Sequence, residues 1–171
     1  MKPTLGITLL MAGLLGLVAC NNSSKDIEGV ETFKVEGAGN HQNGKISYER
    51  IPPAGGPHNP IWQNCGVYTQ PIFSEYAVHS MEHGAVWITY QPDLAQDDVN
   101  KLVDAAKINS YTVLSPYPDL PSKVVASAWG AQLKLDSADD PRLKDFVRKY
   151  AQSKDAPEPG ATCSGGYSGV Q

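Results

Sequence analysis

Apolar residues in the second half of the chain gather into three short runs that have the length of β-strands. The runs cover residues 85–90, 111–114 and 124–129. The first is almost continuously apolar, which is typical of a strand buried on both faces. After Gly130, the alternation of Ala131, Leu133 and Leu135 with other residues predicts that the last strand continues past the glycine. We therefore expect a small β-sheet.

Three other segments have the pattern of helices. Residues 74–83 lack glycine and proline and precede Gly84, which favours a short helix that ends there. A capping-box pattern at Asp93 and Gln96 predicts a second helix, whose apolar stripe is Val99, Leu102, Val103 and Ala106. A third helix is predicted by a cap at Asp140, by Pro141 at the first position, and by a stripe of Leu143, Phe146, Val147 and Tyr150. The predicted fold class is α+β: a single domain with a small mixed or antiparallel sheet, packed with about three helices.

Two loops in the first half of the domain are shaped by turn-forming residues. Asn43-Gly44 is a strong two-residue turn signal, and residues 45–48 alternate as a short strand would, so we predict a hairpin turn beside His41. Residues 52–60 combine prolines and glycines, which exclude a regular helix or a central strand. This loop presents His58 on a restricted backbone.

The first 20 residues have the layout of an export signal. Their apolar stretch, residues 5–18, is short for a helix that crosses the membrane, which needs ~20 residues. Ala19 and Cys20 resemble the end of a bacterial lipobox. We predict a lipoprotein signal peptide over residues 1–20 with lipidation at Cys20, in preference to an uncleaved anchor or an ordinary secretory signal.

This assignment predicts where the protein is found. Residues 21–29 are polar and charged, which is typical of a flexible tether. We predict that residues 30–171 form the domain. The lipid would hold the protein in the cell membrane or the outer membrane, facing outside the cytoplasm. Since the chain has 18 acidic and 14 basic side chains and no basic stripe, we expect no nucleic-acid partner.

The cysteine count fits an exported protein. Of the three cysteines, Cys20 takes the lipid, and Cys65 and Cys163 remain. In an oxidising compartment two such thiols are expected to pair. We predict a Cys65–Cys163 disulfide that fixes the C-terminal tail.

All four histidines lie in the first half of the predicted domain. His79 and His83 have i, i+4 spacing, which places two imidazoles on one face of a helix, where they can share a metal ion. His58 is the natural third ligand and His41 a possible fourth. Glu75, one turn before His79, could orient that imidazole from outside the ligand set. Imidazole ligands fit copper, zinc, nickel and iron alike, and we expect copper or zinc as the cofactor.

Three functions are compatible with this pattern. The leading hypothesis is an envelope lipoprotein that binds a metal ion and exchanges it with a metal-donor or metal-acceptor protein. His79 to His83 also spell H-x-x-E-H, which in inverted zinc peptidases supplies two ligands and a base, so the second hypothesis is a zinc-dependent hydrolase that uses Glu82 as base. The third is a metal-free envelope domain that binds a partner protein and has structural histidines.

Four segments of the sequence resemble the bacterial DUF3105 family, a domain of unknown function. They are residues 52–58, 65–68, 77–90 and 128–130. The resemblance runs from about Val30 to Gly169. It implies that the four histidines and the pair Cys65 and Cys163 occupy family positions. Met81 departs from the family pattern, which more often has leucine at this position. The resemblance therefore does not support the Met81 thioether as a ligand of the metal ion.

Overall fold

A computed structural model describes residues 26–171 of the chain. The predicted signal peptide, its Cys20 and most of the predicted tether lie outside the described residues. Within that range, residues 26–29 contact the domain and do not behave as a tether: Ile27 packs against the core, and Arg142 donates a hydrogen bond to the Glu28 carbonyl. None of the helices in the described part is long and apolar enough to cross a membrane.

The described chain forms one α+β domain with a mixed sheet, as the sequence predicted. The strands are β1 (Val30–Thr32), β2 (Gly66–Val67), β3 (Val86–Tyr90), β4 (Thr112–Pro116), β5 (Val124–Ala128) and β6 (Ala131–Leu135). The helices are α1 (Ser74–Glu82), α2 (Gln96–Ala106) and α3 (Pro141–Tyr150). The strand order in the sheet is β1-β6-β5-β3-β4-β2. Strand β4 pairs in parallel with β2 and β3, and the other pairs are antiparallel.

The sheet separates two apolar cores because successive side chains of a strand point to opposite faces. On one face, Ile88 of β3 packs with Leu102 of α2 and Phe146 of α3. On the other face, Trp87 packs with Met81 of α1. All five residues of β3 are buried. Helices α2 and α3 thus lie on one face of the sheet, and helix α1 lies on the other face with the loops that precede it.

Three local predictions from the sequence are wrong. Residues 45–48 form no strand, and the Ile46 N–H donates to the Glu75 carboxylate instead of to a neighbouring strand. Helix α2 begins after Ala95, with no side-chain cap, so the capping box does not form. Residues 131–135 do not continue β5: they turn back at Gly130, whose φ of +70° suits glycine, and pair with β5 as a hairpin.

The C-terminal tail after α3 runs back across the end of helix α1. Cys65 and Cys163 form the predicted disulfide, with their Cα atoms 5.3 Å apart. The Glu158 N–H donates to the carbonyl of Glu82, the last residue of α1, and the Gly160 N–H donates to the carbonyl of His83. The tail is thus fixed beside the predicted metal ligands.

Candidate metal centre

Helix α1 presents three functional side chains on the face turned away from the sheet. His79, Glu82 and His83 have i, i+3 and i+4 spacing, so they lie on one face. The opposite face buries Val78 and Met81 in the core with Trp87. Met81 therefore acts as a packing residue. The helix ends at Glu82 with His83 as its C-cap, and Gly84 follows with a φ of +96° that suits glycine.

Two loop segments bring the other two histidines to this face. His41 and His58 form an isolated parallel β-bridge: the His58 N–H donates to the Asn40 carbonyl, and the Gln42 N–H donates to the His58 carbonyl. The bridge stacks the His41 ring on the His79 ring, with centroids 5.0 Å apart. The rings of His58 and His79 have centroids 4.8 Å apart.

Four side chains converge to form what we call the four-ligand group: His41, His58, His79 and Glu82. One possible ligand atom from each lies within 4.8 Å of those of the other three. His58, His79 and Glu82 are 0%, 5% and 1% exposed, whereas the His41 side chain is 43% exposed. The group therefore lies at the base of a site that reaches solvent at His41.

Backbone carbonyls fix the orientation of three imidazoles. His58 Nδ1 lies 2.8 Å from the Gly56 carbonyl oxygen and His79 Nδ1 lies 2.6 Å from that of Asn59. In the same way, His83 Nδ1 lies 2.7 Å from the Thr162 carbonyl oxygen.

A carbonyl oxygen can only accept, so each Nδ1 carries the proton and donates it. In the neutral rings, each Nε2 then has a lone pair to offer. An imidazole whose other nitrogen donates to a carbonyl is the usual arrangement of a metal-ligating histidine.

Glu82 places a buried carboxylate among these rings. Its Oε1 accepts a hydrogen bond from the Gly39 N–H at 2.7 Å. Its Oε2 lies 2.9 Å from His58 Nε2 and 3.8 Å from His41 Nε2. A carboxylate oxygen that faces the lone pair of a neutral imidazole is stabilised by a cation between them, either a proton or a metal ion.

His79 is held in the neutral form that binds metals. The pKa of His79 is lowered from 6.5 to about 4, mainly by burial and also by the neighbouring His83, His58 and His41, while the hydrogen bond to the Asn59 carbonyl opposes the shift. At neutral pH the Nε2 of this ring is therefore available as a ligand.

Two of the predicted site residues, Glu75 and His83, do not have the roles that the sequence predicted. Glu75 does not orient His79: its Oε1 accepts from Ile46, and the Asn59 carbonyl takes the orienting role. His83 lies outside the four-ligand group, although its Nε2 is 3.0 Å from His79 Nε2. His41, His58 and His79 lie together in the four-ligand group.

Other residues of the site have roles that the sequence pattern did not indicate. The H-x-x-E-H string suggests Glu82 only as a catalytic base, yet its i, i+3 spacing from His79 would have placed it among the ligands. In the structure Oε1 accepts from the Gly39 N–H, and Oε2 faces His58 Nε2 at the position of a ligand atom. The carbonyls of Gly56, Asn59 and Thr162 carry no sequence signal, because every residue has one.

The family assignment rests on a long match. The family model described as "Protein of unknown function (DUF3105)" matches residues 40–165, well over half of the chain and including all four histidines and both disulfide cysteines. Neither the curated proteins nor the solved structures contain a significant match to the chain. The chain thus belongs to the DUF3105 family.

Proposed function

We propose that this domain binds one divalent transition-metal ion, zinc or copper, through His41, His58, His79 and Glu82. The observation that carries the proposal is the orientation of the buried imidazoles, whose Nδ1 atoms donate to backbone carbonyls while their Nε2 atoms are left for a ligand. In the neutral rings of His58 and His79, the Nε2 lone pair has no hydrogen-bond donor, and a metal ion would use both lone pairs.

The donor set limits the kind of ion. Three imidazole nitrogens and one carboxylate oxygen match the nitrogen and oxygen ligands of four-coordinate zinc, and imidazole also suits copper(II). A soft-ion site built on sulfur is not favoured, because Met81 is buried in the apolar core and Cys65 is paired with Cys163. We therefore propose a borderline divalent ion and not copper(I).

We place this activity at the cell envelope. The support is the predicted signal peptide with its lipidation site at Cys20, and the disulfide, which is typical of oxidising compartments. Lipid anchoring would keep the domain at a membrane surface, outside the cytoplasm. The proposed role there is to hold a metal ion and to exchange it with a donor or acceptor protein.

Elemental analysis tests the proposal directly. The full-length protein is purified without a histidine tag, which would itself bind metal, and its metal content is compared with that of the His79→Asn variant. Asparagine at this position can still donate to the Asn59 carbonyl but lacks the Nε2 ligand. We expect close to one zinc or copper ion per wild-type chain and a clear loss in the variant. An equal metal content in both proteins would refute the proposed site and leave the metal-free, partner-binding function.

A further inference from the structure

His79 and His83 face each other in a way that the four-ligand group does not explain. Their Nε2 atoms are 3.0 Å apart, and both Nδ1 atoms donate to backbone carbonyls. In the neutral rings two lone pairs therefore point at one another, and nothing donates between them. Such an arrangement is repulsive unless a cation lies between or beside the two nitrogens.

A carboxylate stands on the outer side of this pair. Glu158 Oε2 lies 3.7 Å from His83 Nε2, and the Glu158 side chain is 57% exposed, whereas that of His83 is 5% exposed. The backbone that carries this carboxylate is fixed. The Glu158 N–H donates to the Glu82 carbonyl, and the Gly160 N–H donates to the His83 carbonyl, so the backbone on both sides of the glutamate is held by the end of helix α1.

The ring of Trp62 covers the same two histidines. Its centroid lies 5.2 Å from that of His83 and 5.7 Å from that of His79. An aromatic cover over two imidazoles limits the access of water, which strengthens the interaction of the nitrogens with a cation. The two imidazoles of His79 and His83 are thus covered by Trp62 on one side and lie towards solvent on the side of Glu158.

From this geometry we infer that His79, His83 and Glu158 form a second metal position, which shares His79 with the four-ligand group and opens to solvent at Glu158. Two imidazole nitrogens and a carboxylate oxygen suit the same divalent ions as the first position. His79 has a single lone pair to give, so only one of the two positions holds the ion at a time. The inference rests on the proposed function, because His79 belongs to both positions.

The two positions reach solvent at different places. The four-ligand group is exposed at His41, whose side chain is 43% exposed, and the second position is exposed at Glu158. An ion that moves between them exchanges its other ligands while it stays bound to His79. This arrangement lets a metal ion be taken up on one side of helix α1 and handed over on the other.

Electron paramagnetic resonance of copper(II) tests the second position. Half an equivalent of copper(II) is added to the untagged full-length protein, and the spectrum of the frozen sample is recorded for the wild type and for two variants. His83→Asn keeps a donor for the Thr162 carbonyl and removes the Nε2 ligand. Glu158→Gln changes an exposed side chain and leaves the fold intact. Glu36→Gln, also at an exposed glutamate (81%), is the matched control.

The wild type and the control are expected to show two copper signals. His83→Asn should lose one signal, and Glu158→Gln should alter that same signal and leave the other unchanged. A single signal in the wild type, or two signals that both variants leave unchanged, would overturn the second position while the proposed function stands. A wild-type protein that takes up neither copper nor zinc refutes the proposed function itself.

Discussion

The Oε2 atom of Glu82 lies 2.9 Å from the Nε2 atom of His58, and both side chains are buried from solvent. His58 Nδ1 donates to the Gly56 carbonyl, so the nitrogen that faces the carboxylate carries a lone pair in the neutral ring. The pair requires a proton or a metal ion between its two atoms. This relationship supports Glu82 as a ligand of the proposed metal ion and leads to the first prediction.

Glu82→Gln should separate metal binding from stability. In the metal-free protein the glutamine oxygen can accept from the Gly39 N–H, and the glutamine amide can donate to His58 Nε2, so both short polar contacts of the carboxylate are replaced. We expect an unfolding free energy close to that of the wild type and a large loss of zinc affinity, because the only anionic ligand of the four-ligand group is removed.

Urea denaturation without metal and calorimetric titration with zinc measure the two effects. A variant that keeps the zinc affinity of the wild type but loses a measurable hydrolytic activity would show that Glu82 is a catalytic base instead.

The pKa of His79 predicts a dependence of stability on pH. In the unfolded chain this imidazole titrates near 6.5, whereas burial lowers its pKa to about 4 in the folded protein. Between these values the unfolded state binds a proton that the folded state does not, so the free energy of unfolding of the metal-free protein falls as the pH is lowered through this window. Urea denaturation at several pH values, with a chelator present, measures the slope.

His79→Asn is the matched control, since it keeps a donor for the Asn59 carbonyl and cannot titrate. Its stability should depend less on pH than that of the wild type between these two values. Equal slopes in the two proteins would show that His79 does not cause the loss of stability in acid.

Reduction of the disulfide should destabilise the domain. Cys65 and Cys163 are 98 residues apart in sequence, and the chain-entropy model gives a stabilisation of about 4.7 kcal/mol for a loop of this length, often less in practice. The Cys65→Ser, Cys163→Ser double variant should therefore unfold at a lower urea concentration, and its tail should be cleaved sooner by a protease. An unchanged unfolding midpoint under reducing conditions would contradict this role of the pair.

Lipidation depends on Cys20 if the signal-peptide prediction is correct. Cys20→Ser should abolish the incorporation of labelled fatty acid, and globomycin, which blocks lipoprotein signal cleavage, should cause the uncleaved precursor to accumulate. Continued labelling of the Cys20→Ser protein would show that the anchor has been assigned to the wrong residue.

The sequence predicted those elements whose signals are local. Helix α3 carries its own cap, since Asp140 accepts from the Arg142 N–H as expected, and its apolar stripe is buried. The buried strands were found because they are apolar over several residues. Strands β1 and β2 have only three and two residues and lie at the two edges of the sheet, so no periodic pattern marks them.

The parts of the site that could not be predicted depend on contacts between distant residues. The carbonyl that orients His83 belongs to Thr162, 79 residues later in the chain, and only the docking of the tail brings it there. The Asn43-Gly44 signal failed for a related reason. After this turn, the Ile46 N–H donates a hydrogen bond to the buried Glu75 carboxylate and is not available to a partner strand. A tertiary contact thus overrides the local preference for a hairpin.

Calorimetric titration of the untagged wild type and of its His79→Asn variant with zinc tests the central claim most directly. We predict one zinc ion per wild-type chain and an affinity more than about 100-fold lower in the variant, since loss of a residue that merely orients a ligand already costs ~10–100-fold. His79 belongs to both proposed positions, so no alternative set of ligands in the group can replace it. Equal affinity and stoichiometry in the two proteins would contradict the assignment of a metal site to these histidines.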